Sequence, residues 1–115
     1  IDAVIIVTPD QAHAKITIAA LNRGKHVLCE KPMSLDLDEC KAMIKASDET
    51  GKKLMVGQIC RMTPGFIEAK RLVDEGVIGD LYYVESEYAH DYSKIPGSDG
   101  WRTTPERHPI IGGAQ

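Results

Sequence analysis

The chain has 115 residues, enough for one compact domain with a modest core. Its 14 Lys and Arg against 17 Asp and Glu give a net charge of -3, which lacks the basic excess of a nucleic-acid partner; no apolar stretch is long enough to cross a bilayer, so no membrane partner is expected. Cys29, Cys40 and Cys60 are odd in number, widely spaced and without a CxxC pair. That argues against a metal site or a disulfide framework and fits a reduced, cytoplasmic setting.

The first element is the continuous apolar, β-branched run Val4 to Val7, which reads as a strand buried on both faces and ended by Thr8-Pro9. Asp10 is a suitable N-cap for a helix from Gln11 to Arg23, with Gly24 as its C′ residue. Ala12, Ile16 and Ala20 share one face of that helix. His26 to Cys29 is a second strand. Asp36 then caps a second helix, with Glu39 three residues on as a variant of the capping box. Cys40, Met43, Ile44 and Ser47 follow helical spacing there, and Gly51 closes it. Leu54-Met55-Val56 is a third strand. Thr63 caps a third helix with Pro64 at its first position, Phe66, Ala69 and Val73 on its apolar face, and Gly76 at its end. Val84 to Tyr88 alternates with period two, which suggests a half-exposed strand in a different kind of sheet. From Ser93 onward the chain is rich in Pro, Gly, Ser and Asp and reads as a long loop, expected to be poorly held without a ligand or further chain.

Strand and helix alternating three times is the β/α signature of a parallel sheet, hence an α/β fold. Parallel strands all end on one side. Thr8-Pro9, Glu30-Lys31-Pro32 and the segment from Gln58 to Arg61 are therefore expected along one edge, where open α/β sheets bind ligands. Pro32 has no N–H and cannot extend a central strand, so pairing should stop there and leave Lys31 at the carboxyl end. The plain alternative for Lys31 is a surface ion pair with Glu30.

Val7-Thr8-Pro9-Asp10 with His13, then Gly24 through Pro32, then Val56-Gly57, resembles the second half of the nucleotide-binding domain of the Gfo/Idh/MocA oxidoreductases. The similarity runs on through Gly76-Val77-Ile78-Gly79 to Gly100-Trp101-Arg102. It implies the second half of a Rossmann-type parallel sheet over residues 1–62, leading over residues 63–115 into an interdomain helix and the start of an α+β antiparallel substrate and oligomerisation domain. It implies NAD or NADP as cofactor, a polyol or sugar substrate, a homo-oligomer, and hydride transfer between the nicotinamide and a sugar or cyclitol hydroxyl or ketone. Lys31 is then the catalytic lysine, with a cis bond to Pro32. Thr8, Pro9, His13, Glu30, Lys31, Arg61, Trp101 and Arg102 are the expected cofactor-binding residues. Asp10 stands where family members often have Asn; it still caps a helix but approaches a phosphate less readily.

Each role has a plainer counterpart. His13 is otherwise a partly buried helix histidine, Arg61 a partner for a carboxylate, and Trp101 a packing anchor. His90 and His108 match no catalytic histidine of the family and read as surface or loop residues. No GxGxxG occurs; the resemblance places it before Ile1, and places an Asp and a His just after Gly112-Gly113. A chain starting Ile1-Asp2-Ala3 and stopping at Gln115 thus reads as a central segment of a longer enzyme, inactive by itself. The rival reading is a nucleotide-binding sensor or regulatory relative without catalysis, since fold alone does not fix activity.

Overall fold

The computed structural model describes residues 1–87. They fall into two compact units, Ile1–Gly57 and the stretch from Gln58 onward. In the first unit, strands β1 (Ala3–Ile6), β2 (His26–Cys29) and β3 (Leu54–Val56) form one sheet in the order β1-β2-β3. Both pairings are parallel; Ile6 stands opposite Cys29, and Cys29 opposite Val56. Backbone bonds carry the ladder one step beyond the strands, from Glu30 N–H to the Ile6 carbonyl and from Gly57 N–H to the Cys29 carbonyl.

Helices α1 (His13–Asn22) and α2 (Leu37–Thr50) connect the strands and pack on one face of the sheet. Ile6, Val27 and Cys29 from the strands meet Ala14 and Leu21 of α1 and Met43 and Ala46 of α2 in a single core. On the opposite face Ile5 is 69% and Met55 53% exposed, and no described helix packs there. The expectation of a first strand buried on both faces is therefore corrected. A β-branched run signals strand propensity but not which faces a neighbour will cover.

The apolar face expected for α1 is also shifted. Ala12 and Ala20 are only partly buried and Ile16 is exposed, whereas His13, Ala14, Thr17 and Leu21 are buried. The true core stripe carries two polar residues, so hydrophobic spacing points to the adjacent stripe. On α2 the buried residues are Met43 and Ala46, while Ile44 is exposed. Asp10 begins a short 3-10 turn, Asp10–Ala12, and the N-cap position of α1 itself falls at Ala12. At the far end Gly24, at φ +72°, closes a Schellman motif: its N–H donates to Leu21 and the Lys25 N–H to Ala20.

Helix α2 begins as expected. The Asp36 carboxylate accepts from the N–H groups of Asp38 and Glu39 at 2.8 and 2.9 Å. Glu39 does not reach back to Asp36; it accepts from the Ser34 hydroxyl, which itself accepts from the Asp36 N–H. The capping box thus closes through an inserted serine.

The second unit holds a 3-10 turn, Ile59–Met62, and helix α3 (Pro64–Asp74) with Pro64 in its first turn. Thr63 is its N-cap residue but makes no side-chain capping bond. No residue of α3 is buried. Arg71 bridges Glu68 and Glu75 along its surface, which lowers the Glu68 carboxyl below its ordinary range and raises the guanidinium above its own. Leu81 to Glu87 carries no strand, contrary to the alternation read at Val84, since no described strand pairs with it. Tyr88 and the loop from Ser93 onward lie outside the described residues.

Candidate active-site edge

The carboxyl ends of β1 and β2 lie side by side, because the strands are parallel and in register. Beyond β1 the chain runs through Val7 to exposed Thr8 and Pro9, then turns into Asp10–Ala12. Beyond β2 the ladder ends with the Glu30 N–H. The next N–H, of Lys31, donates instead to Glu30 Oε2 at 3.0 Å, and Pro32 offers none. Pairing therefore stops where the proline requires it. The Lys31-Pro32 bond is cis. Lys31 is exposed, and its ammonium makes no hydrogen bond or ion pair among the described residues.

Glu30 does not engage the Lys31 ammonium. Its carboxylate lies over Gly57, the first residue after β3; a Cβ at Gly57 would stand 3.2 Å from Glu30 Oε1. A glycine is thus what allows the carboxylate to lie flat against the end of β3. The pairing has no local sequence signal, because Glu30 and Gly57 follow different strands and meet only when β2 and β3 pair.

Behind this edge lies His13, the first residue of α1, fully buried. Its Nδ1 is 2.7 Å from the Pro32 carbonyl oxygen and its Nε2 2.9 Å from the Thr8 carbonyl oxygen. Each ring nitrogen therefore faces a backbone carbonyl of one of the two turns, and the nitrogen that carries the proton donates to it. Cys29, also buried, donates its thiol to the Glu30 carbonyl at 3.3 Å. Burial pushes this thiol up, and the nearby Glu30 charge adds to that; the Thr17 hydroxyl alongside works in the opposite direction, although it makes no hydrogen bond of ordinary geometry.

Of the other expected site residues, Arg61 stands exposed on the turn Ile59–Met62 of the second unit. With Cys60, Phe66, Ile67 and Lys70 it lines a concavity of about 440 Å³. Gln58 directly follows Gly57 in the chain and opens that unit. Trp101, Arg102, His90 and His108 lie outside the described residues. Among the described residues no cluster of His, Cys, Asp or Glu has the arrangement of a metal site, and no helix is long and apolar enough to cross a membrane.

Comparison with known proteins addresses the same segment. Residues 1–58 match the model of the oxidoreductase family with an NAD-binding Rossmann fold, GFO_IDH_MocA. The chain is 45% identical over 84 residues to the scyllo-inositol 2-dehydrogenase (NAD(+)) of Bacillus subtilis, covering 72% of this chain and 25% of that protein. It is 40% identical over 103 residues to the levoglucosan dehydrogenase of Pseudarthrobacter phenanthrenivorans, covering 89% of this chain and 26% of that one. Among solved structures, scyllo-inositol dehydrogenase from Lactobacillus casei with bound NAD(H) and scyllo-inositol superposes with a TM-score of 0.66 at 40% identity, over 70% of this chain and 24% of that chain. The chain thus spans about a quarter of the length of these relatives. With the parallel sheet, the Thr8-Pro9 turn and the Glu30-Lys31-Pro32 turn all inside the matched segment, the chain belongs to the GFO_IDH_MocA oxidoreductase family.

Proposed function

We propose that the gene product carrying this chain is an NAD(P)-dependent oxidoreductase that moves a hydride between a nicotinamide cofactor and a hydroxyl or ketone of a sugar or cyclitol. The observation that carries the reading is Lys31: an exposed ammonium, without a partner among the described residues, at the carboxyl edge of a parallel sheet. Ligands of open α/β sheets bind along that edge. The inositol and levoglucosan dehydrogenases among the relatives support the substrate class.

The residues at this edge fit such a cofactor. Thr8 and Pro9 offer an exposed hydroxyl and a short turn at the end of β1. Glu30 lies over Gly57 and makes no ion pair with the Lys31 ammonium, which stays available to a ligand. When bound, the nicotinamide supplies or accepts the hydride. Lys31 handles the accompanying proton: as an amine it takes the hydroxyl proton when a carbinol is oxidised, and as an ammonium it hydrogen-bonds the oxygen while negative charge develops there. Arg61, Trp101 and Arg102 are proposed as further cofactor contacts, residues 1–62 as the end of the nucleotide-binding domain, and residues 63–115 as the entry to a substrate domain through which copies associate. A cytoplasmic location accords with the three free cysteines.

The test is Lys31→Met in the full-length gene product, with steady-state kinetics on a polyol panel and a separate NADH and NADPH titration. Turnover should fall by about 10²- to 10⁴-fold, the range for general acid–base catalysis, with cofactor affinity changing much less. Lys31→Arg should not restore the rate, since a guanidinium stays charged and cannot shuttle the proton. Normal turnover in Lys31→Met would retire the proposal. Equal losses in turnover and cofactor affinity would favour a nucleotide-binding sensor.

A further inference from the structure

We propose that His13 is a positioning residue: its imidazole ties the Thr8 turn to the Lys31-Pro32 turn through their backbone carbonyls, and so sets where Lys31 stands relative to the cofactor edge. The proposal rests on the reading of Lys31 as the proton-handling group and assigns His13 no direct contact with the cofactor.

Three observations carry it. The ring is fully buried, so its two polar atoms must find partners inside the protein. Each stands within hydrogen-bond distance of a carbonyl oxygen, Nδ1 at 2.7 Å from Pro32 and Nε2 at 2.9 Å from Thr8, and donates to it when it carries the proton. These carbonyls lie past the last rung of the sheet, since the final bond between β1 and β2 runs from Glu30 N–H to the Ile6 carbonyl. Two turns that have left the ladder, and whose bonded residues are five and nineteen positions from His13, are thus joined through one rigid ring. A neutral imidazole donates to one of the two oxygens at a time and the charged ring to both. A leucine or methionine would fill the same volume with no such link. The ring is fixed in turn by α1, whose first residue it is and whose following residues, Ala14 and Leu21, are core. The core therefore reaches the edge through His13.

The two links can be cut separately. The amide nitrogen of Asn occupies nearly the place of Nδ1 and reaches the Pro32 carbonyl; that of Gln occupies the place of Nε2 and reaches the Thr8 carbonyl. In the full-length gene product, His13→Asn should release the Thr8 turn and weaken NADH binding about tenfold, with kcat within about threefold of wild type. His13→Gln should release the Lys31-Pro32 turn and lower kcat by about tenfold to a hundredfold, with NADH affinity within about threefold. That opposite split is the expected result. Equal losses of both parameters in both variants, following a fall in melting temperature, would make His13 an ordinary core residue and overturn the proposal, as would no change in either. Lys31→Met separates this from the functional reading: if it abolishes turnover while the His13 variants show no split, the clamp fails and the catalytic lysine stands; if it leaves turnover normal, the catalytic reading fails and the clamp's effect on kcat falls with it. A crystal structure of the unsubstituted gene product with NADH bound needs no variant to fold. Both carbonyls should still lie on the ring, and a ring nitrogen hydrogen-bonded to the cofactor would overturn the proposal.

Discussion

Helix α1 buries two polar side chains, His13 and Thr17, whereas helix α3 leaves Phe66 56% exposed and Val73 37% exposed. By side-chain hydropathy alone the order would be reversed. The difference is in what stands opposite. The polar residues of α1 face a sheet, a second helix and two turns, and the His13 ring finds acceptors among them. The apolar residues of α3 face nothing described that buries them. Burial is a property of the pair of surfaces, and a helix pattern reports only one of them.

The largest expected effect comes from testing that contrast directly. Leu21→Ala, in the core of the first unit and fully buried, should cost about 2–5 kcal/mol of stability, the range for truncating a core leucine. Phe66→Ala on α3 should stay within about 0.5 kcal/mol in the 115-residue chain, as for exposed substitutions. Urea unfolding of both variants measures the difference. Equal costs would break the comparison and mean that α3 is held by contacts of its own.

A second contrast sharpens it at the helix starts. Asp36→Ala removes two capping bonds from α2 and should cost about 1 kcal/mol. Thr63→Ala removes a side chain that makes no capping bond at α3 and should cost only a few tenths by the same comparison. The two midpoints in one denaturant series decide it.

Which of these features the sequence displays follows from how local they are. Asp36 and Gly51 delimit α2 by the chemistry of one or two neighbouring residues, and both do so in the structure. Pro32 stops a strand by lacking a donor, whatever surrounds it, so the end of β2 was legible. Lys31 at the carboxyl edge followed from the β/α alternation alone. By contrast, the hydropathy pattern of α1 hides its core stripe, because two of the buried residues, His13 and Thr17, are polar. The role of His13 depends on the Pro32 carbonyl arriving beside a residue nineteen positions earlier, and Glu39 depends on Ser34 intervening in its box. The exposed faces of Ile5 and Met55 were hidden for the same reason: a strand's composition does not record which face a neighbour covers.

A smaller effect is expected at the site edge. Gly57→Ala places a methyl 3.2 Å from Glu30 Oε1, against the movable end of a side chain, so the carboxylate must give way by a few tenths of an ångström. Stability should fall by less than about 1 kcal/mol. The shift threatens the bond that Glu30 makes to the Lys31 N–H, so kcat of the gene product should fall more than its melting temperature suggests. A loss of stability without any change in kcat would confine Gly57 to packing.

The smallest effect separates buried from exposed thiols and should appear only in alkaline solution. Cys29 is buried and its thiol is pushed up, first by burial, while Cys60 is exposed. A thiol raised in the folded state keeps its proton longer there than in the unfolded chain. Below the ordinary thiol value, about 8.5, both states hold the proton and pH has no effect through this group. Above it the unfolded chain ionises first and the folded state does not, so stability falls as pH climbs through the interval between the ordinary and the raised value. Cys29→Ala should flatten this decline, measured as the change of the urea midpoint between neutral and alkaline buffer relative to the unsubstituted chain. The same burial should order alkylation by iodoacetamide under native conditions: Cys60 fastest, partly buried Cys40 next, and Cys29 slowest, because reaction needs an accessible thiolate. Peptide mapping after a short pulse reads that order. Early labelling of Cys29 would mean that the end of β2 opens readily, and that the edge carrying Lys31 is held by less than the core behind it.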